Sequence, residues 1–254
     1  MGVVTLVAEL SAVAVRFGAD QVQVDRDHLI SHVLAALGAL DPDTITFFGG
    51  TALSRTFLPD GRLSEDIDLL ARSGRGEAAR LVTAAVGRAL LRSHGRVTWS
   101  PPLAEAGGSR AALLSVPTGA SIRVQLLDGA GYPWPTEVRD IEQRYSDVAP
   151  TRLRTLTAPA FAAAKLAAWI DRGASRDLWD LARLAAQGRV DRKAAALFRR
   201  FGPFGGAPGP WVFATAPDTD RWRTELAHQT RLDLGPEAAL DVVRSAWDRA
   251  FAAG

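Results

Sequence analysis

The chain has 254 residues, of which 47% are hydrophobic and 23% charged, and it has no cysteine. That length allows one large domain or two smaller ones, the composition is ordinary for a soluble globular protein, and the lack of thiols excludes disulfide frameworks and thiolate zinc sites. The formal net charge is +2 and the isoelectric point about 9.5, because nearly all the basic residues are arginine; this permits nucleic-acid binding without requiring it.

Residues 1–17 are apolar but carry Glu9 and no basic leader, so they read as a folded helix rather than a signal, and the expected compartment is the cytoplasm. No uninterrupted apolar run of about eighteen residues occurs, so neither a span nor a membrane partner is expected. An amphipathic helix is predicted over 24–40 from Leu29, Ile30, Val33, Leu34 and Leu37, with Asp25 as its cap. Residues 44–48 read as a short buried strand stopped by Gly49 and Gly50; 51–57 read as a short helix and 66–71 as a second strand. A periodic helix over 77–93 precedes strands at 97–100, 111–116 and 122–127. From Pro159 onward the pattern is helical, at 161–171, 177–187, 192–201, 221–231 and 237–252, with a glycine- and proline-rich loop over 202–210. The expected fold is α/β, with a mixed-sheet lobe and its N-terminal helices over 1–157 and a helical lobe over 158–254.

The chemistry concentrates in Phe48-Gly49-Gly50-Thr51-Ala52-Leu53-Ser54-Arg55 and Arg62-Leu63-Ser64-Glu65-Asp66-Ile67-Asp68-Leu69. Two glycines after a strand let the backbone approach a ligand closely, and the helix opening there presents N–H groups to a phosphate; Thr51 adds a hydroxyl. Asp66 and Asp68 are two apart on a strand and so leave one face together, while Ile67 and Leu69 point into the core. Paired carboxylates call for a cation between them, and Mg²⁺, with Mn²⁺ as the alternative, suits oxygen ligands and bridges to nucleotide phosphates.

This order of strand, Gly-Gly, helix and Asp-x-Asp strand resembles the polymerase-beta-type nucleotidyltransferase core. Gly49-Gly50-Thr51-Ala52-Leu53 with Arg62-x-Ser64-Glu65-Asp66-Ile67-Asp68-Leu69 is similar, more narrowly, to the AbiEii toxin family, which includes the MenT-like toxins. Lys165-Leu166-Ala167-Ala168, Asp171-Arg172 and Arg176-Asp177-Leu178-Trp179-Asp180-Leu181 match that family's C-terminal lysine and Arg-Asp-x-x-Asp-Leu motifs. The resemblance implies a bilobed transferase that uses a nucleoside triphosphate and attaches the nucleotide to an RNA acceptor, the 3′ end of tRNA in characterised members. It also implies a toxin of a toxin–antitoxin or phage-defence pair, with its antitoxin encoded alongside. On this reading Asp66 and Asp68 are catalytic and bind metal, with Lys165 and Asp177 as further catalytic residues. Gly49, Gly50, Thr51, Arg55, Ser64 and Arg176 contact the nucleotide, and Asp180 supports Lys165 and Asp177. Phosphorylation of Ser64 would set negative charge beside the metal and silence the enzyme. The pattern departs in one place: the third carboxylate usual on a later strand is replaced by Gln125, and Asp128 falls on the opposite side, so the general base is unassigned. Two other readings share these residues, a transferase acting on a small molecule such as an antibiotic, and a decayed module that only binds nucleotide or RNA.

Lys165 and Lys193 are the only lysines among 30 basic residues, so each stands where arginine does not replace it. A compact ammonium reaching a triphosphate accounts for Lys165. Asp177 and Asp180 share a helix face, and Asp177 also stands at a predicted helix start, where capping is an equally good reason for it. The four histidines, His28 and His32 among them at i and i+4, read as surface or interface residues. The tryptophans read as core, with Trp134 between two prolines as a stacking surface for a base.

Overall fold

A computed structural model describes residues 2–72, 74–107 and 110–252. They form two compact units, one of residues 1–132 and 136–155, the other of 133–135 and 156–254.

The first unit is a seven-stranded mixed sheet with helices. Helices α1 (Gly2–Phe17) and α2 (Gln21–Leu37) lead into β1 (Ile45–Phe48), α3 (Gly49–Ser54), β2 (Asp66–Ala71) and α4 (Arg75–Leu90). Strands β3 (Thr98–Ser100), β4 (Ala112–Ser115), β5 (Ser121–Asp128), β6 (Thr136–Ile141) and β7 (Thr151–Leu156) follow. The order across the sheet is β3-β4-β5-β2-β1-β7-β6, so β2 is central, antiparallel to β1 and parallel to β5. Met1, part of the predicted first helix, lies outside the described residues. Asp25 is not the cap of α2: the helix begins a turn earlier, where the Asp20 carboxylate accepts from the Gln23 N–H at 2.8 Å. Tyr145 and Val148, from the β6–β7 connection, pack with Val13, Phe17, Val24 and Leu63. Leu63, fully buried, thereby fixes the segment that enters β2.

The second unit holds α5 (Ala158–Arg172), α6 (Ser175–Ala186), α7 (Arg192–Phe201), a 3-10 turn (Pro210–Phe213), α8 (Thr219–Leu226) and α9 (Pro236–Ala252). Helix α6 packs on α5 and α9, around the buried rings of Trp179, Trp222 and Trp247. Trp134 is not an exposed stacking platform: it is 9% exposed and sets its ring against Phe201, with centroids 5.8 Å apart. Burying that apolar area outweighs presenting it to water.

Candidate active site

Asp66 and Asp68 are half-buried on β2, while Ile67 and Leu69 between and beyond them are fully buried. The period of two therefore sends both carboxylates to one face. The register sets Asp68 between Phe48 of β1 and Gln125 of β5, and sets Asp66 beside Arg123. Gln125 thus occupies the neighbouring-strand position where a third carboxylate would stand. A neutral amide can accept a hydrogen bond there but cannot take up a proton.

Gly49 turns the chain from β1 into α3 with φ +78°, and a Cβ on it would fall 2.0 Å from Asp68 Oδ2. The backbone is pressed against the carboxylate, which only glycine permits. A Cβ on Gly50 would meet the Arg62 guanidinium at 2.7 Å and Ser64 Oγ at 3.3 Å, so the two halves of the motif touch here. Arg62 and Ser64 are both buried, and Arg62 Nη1 donates to the Leu63 carbonyl at 3.1 Å. Thr51 does not offer its hydroxyl outward: it is 2% exposed and donates to the backbone carbonyl of Asp66, tying α3 to β2.

Arg55 was expected at the nucleotide, but its side chain is buried in the core of this unit. Its Nη2 donates to Asp27 Oδ1 and to Ser31 Oγ, each at 2.8 Å, and its Nη1 to the Glu142 carbonyl at 3.0 Å. Arg144 Nη1 and the Tyr145 hydroxyl also donate to Asp27, each at 2.9 Å. A buried carboxylate on α2 captures this guanidinium because an unpaired buried charge is far costlier than a paired one.

Two residues of the site escaped the sequence reading. Arg123 donates to Asp66 from both Nε, at 2.9 Å to Oδ1, and Nη2, at 3.3 Å to Oδ2. This two-pronged bond to Asp66 raises the Arg123 pKa and places a positive charge against the carboxylate. Tyr132 packs on Phe48, with ring centroids 5.5 Å apart, and burial first, then the charge of Asp68, pushes its hydroxyl above the usual phenol range. Neither is legible without the long-range pairing of β2 with β5.

In the helical unit, Lys165 Nζ lies 3.0 Å from Asp177 Oδ1 and 2.7 Å from Asp180 Oδ2. Arg172 spans the same carboxylate, with Nε donating to Asp177 Oδ2 at 2.6 Å and Nη2 to Oδ1 at 2.9 Å, so Oδ1 is shared with Lys165. Burial alone would raise the Asp177 pKa, but Lys165 and Arg172 outweigh it and hold the carboxyl well below its ordinary value. Asp177 is therefore an ion-pair partner rather than a helix cap; α6 begins at Ser175, with Ala174 in the capping position. Arg176, half-buried, precedes it on the same helix. The structure thus groups Gly49, Gly50, Thr51, Ser64, Asp66 and Asp68 in one unit, Lys165, Asp177 and Asp180 in the other, and turns Arg55 into the core of the first.

The model of the family of nucleotidyl transferase AbiEii toxins, described as a type IV TA system, matches residues 32–253. No curated protein matches. Among solved structures the chain is similar to MenT4, a nucleotidyltransferase toxin from Mycobacterium tuberculosis H37Rv. The identity is 20% and the TM-score 0.67, covering 94% of this chain and 88% of that one. It is also similar to an H. pylori protein designated a nucleotidyltransferase, at 17% identity and a TM-score of 0.52, covering 91% of this chain and 97% of that one. The α/β fold with a mixed sheet is the fold of these proteins.

Proposed function

The chain belongs to the AbiEii family of nucleotidyltransferase toxins, and on that premise we propose that it transfers a nucleoside monophosphate from a nucleoside triphosphate to an RNA, at the 3′ end of tRNA. The observation that carries this reading is the pair of half-buried carboxylates, Asp66 and Asp68, on one face of β2 against the bare backbone of Gly49. An all-oxygen donor pair of this kind fits Mg²⁺, with Mn²⁺ as the alternative, and does not suit a soft metal. When bound, the cation would neutralise charge developing on the phosphates.

The remaining work falls to the chain's own groups. Asp66 and Asp68 hold the site's negative charge in place, fixed by Thr51 and by the close approach of Gly49. Gly49 and Gly50 let the backbone close on Asp68, Arg62 and Ser64, the phosphates are assigned to the chain beside them, and Ser64 contributes a hydroxyl. Arg123, more than half exposed, is able to release Asp66 and turn to a phosphate oxygen. On the family premise Lys165 and Arg176 are assigned to the triphosphate, with Lys165 held by Asp177 and Asp180. The acceptor hydroxyl oxygen attacks the α-phosphorus in line. The bond from that phosphorus to the bridging oxygen breaks, and pyrophosphate leaves with the electron pair. Gln125 beside Asp68 cannot take up the proton of the acceptor hydroxyl, so that proton is released to solvent and no residue is assigned as general base.

The cytoplasm as the working compartment and a cognate antitoxin as partner follow from the same family premise. Among the described residues no helix is long and apolar enough to cross a membrane. The test is incubation with total tRNA, Mg²⁺ and each labelled nucleoside triphosphate, beside Asp66→Ala and Asp68→Ala. Label in tRNA from the intact chain and not from the variants is the expected result. Transfer only to a small hydroxyl compound would replace the RNA acceptor. Folded protein that binds nucleotide and transfers none would leave a binding module, the reading that Gln125 favours.

A further inference from the structure

Apart from the acid-bearing strand, three distant stretches of the chain bring together His28, His32, His94 and Asp147. Helix α2 carries His28 and His32 one turn apart on one face. His94 follows α4, where its N–H donates to the Leu90 carbonyl at 2.8 Å. Asp147 sits in the β6–β7 connection, inside a turn closed by the Val148 N–H on the Tyr145 carbonyl at 3.2 Å.

The distances are those of a coordination shell. His28 Nε2 lies 3.2 Å from His32 Nε2 and 3.0 Å from Asp147 Oδ2, and His32 Nε2 lies 3.3 Å from the same oxygen. Ligands about 2.0–2.1 Å from a tetrahedral zinc stand about 3.3–3.4 Å from one another, so these three atoms outline one face of such a tetrahedron. One ring nitrogen from each of the three histidines lies within 4.8 Å of the other two, so His94 stands beside that face, and a small movement of its ring would bring it to the fourth corner. Its Nδ1 is engaged by Ser93 Oγ at 2.9 Å, which leaves Nε2 to bind and fixes the ring in the manner of an outer-shell partner. The Tyr145 ring, perpendicular to His28 with centroids 4.8 Å apart and held by its hydroxyl on Asp27, fixes the His28 ring in turn.

Hydrogen bonding alone serves this cluster poorly. Two imidazole nitrogens 3.2 Å apart share one proton, and protonating more than one ring would set like charges against each other.

We infer that His28, His32, His94 and Asp147 form a closed, tetrahedral site for a divalent transition cation of the Zn²⁺ class, which pins α2, the end of α4 and the β6–β7 connection together. Imidazole nitrogens select such ions over Mg²⁺, and four protein ligands leave no open position, so the role is structural. The site is distinct from Asp66 and Asp68 in both residues and ligand chemistry.

The test uses the untagged full-length chain, stripped with chelator and titrated with ZnCl₂ by calorimetry and with CoCl₂ by visible absorption. The expected result is one equivalent of Zn²⁺ bound at micromolar protein, a raised melting temperature, and the absorption bands of tetrahedral Co²⁺, bleached by Zn²⁺. His28→Gln and His94→Gln each weaken binding by at least about tenfold, whereas Asp66→Asn with Asp68→Asn leaves it intact. Should the histidine variants fail to fold, Asp147→Asn, in the half-exposed connection, keeps the wild-type melting temperature without metal and loses most of the shift with it. Folded wild-type protein that shows no saturable Zn²⁺ binding overturns the site. So does Zn²⁺ binding that survives His28→Gln and disappears with the Asp66 and Asp68 changes.

Discussion

Gly49 and Asp68 are packed so closely that a methyl group on the first would overlap the carboxylate of the second, at 2.0 Å from Oδ2. Gly49→Ala must also adopt a φ of +78°, which costs a side-chain-bearing residue about 1–2 kcal/mol. A displaced Asp68 would misplace the bound phosphates, and a shift of about 1 Å in such a site lowers rate by about a hundredfold. Gly49→Ala should therefore lose most transfer activity while keeping its circular dichroism spectrum. Full activity would mean that Asp68 tolerates movement and does not hold the reacting centre.

Arg123 competes with any cation for Asp66. The pair is partly exposed, with Arg123 at 57%, so it is worth at most about 1 kcal/mol after solvent screening. Arg123→Ala should lower the Mg²⁺ concentration for half-maximal activity by up to about fivefold. An unchanged Mg²⁺ requirement would mean that Arg123 does not compete with the cation for Asp66.

Asp27 binds two buried guanidinium groups and one phenol. Asp27→Asn leaves Arg55 and Arg144 without their shared carboxylate, and stability should fall by about 3–5 kcal/mol in urea unfolding. Burial by itself would raise the Asp27 pKa, but Arg144 and Arg55 outweigh it, so the folded value lies below the unfolded value of about 3.9. The stabilisation is then fully present above about pH 4 and is lost as pH falls through the folded pKa. Asp27→Asn should flatten this acid limb of the stability profile; an unaltered limb would assign acid unfolding to other carboxylates.

Lys165 is both a scaffold and a proposed phosphate ligand, and the two roles separate by experiment. Lys165→Met leaves Asp177 and Asp180 without their shared cation and should cost about 3–5 kcal/mol. Adding Asp177→Asn and Asp180→Asn lowers the negative charge left in the cluster, with Arg172 still beside position 177, and should restore part of that stability. Activity should stay lost in the triple variant. Its return with stability would make the cluster purely structural.

Ser64 is 8% exposed, and its Oγ lies 3.3 Å from where a Cβ on Gly50 would stand. Ser64→Glu should abolish transfer more completely than the similarly sized Ser64→Gln, because the added charge faces the phosphates as well as filling space. Equal losses in the two variants would reduce the effect to bulk.

The acid strand was legible because its information is local. Gly49, Gly50, Asp66 and Asp68 fall within twenty residues, and the period of two alone sorts Ile67 from the carboxylates. Strand β2 and helix α7 keep their predicted bounds for the same reason, with strong alternation or periodicity inside one segment. Strands β6 and β7 were missed because charges interrupt the apolar residues of Thr136–Ile141 and Thr151–Leu156; in β6, at the edge of the sheet, such charges discourage pairing with other chains. Residue neighbours across the sheet were out of reach. The pairing of Arg123 with Asp66, 57 residues apart in sequence, depends on the parallel register between β2 and β5. Arg55 was misassigned because its direction depends on Asp27 of α2, which its own motif does not reveal. Among the histidines, the spacing of His28 and His32 was visible, whereas their approach to His94 and Asp147 was not.

Pro133–Pro135 belongs to the helical unit although the residues on either side of it belong to the sheet unit. Trp134, lodged against Phe201, is the anchor of that excursion. No single cut in the chain therefore yields both units whole: cleavage after the last strand strips the helices of a core tryptophan, and cleavage before Pro133 takes β6 and β7 from the sheet. For anyone wishing to split this toxin into two inert halves that regain activity on meeting, the inter-unit junction is a poor place to divide it. An exposed loop inside one unit, such as the glycine-rich turn around Gly205, is the better one.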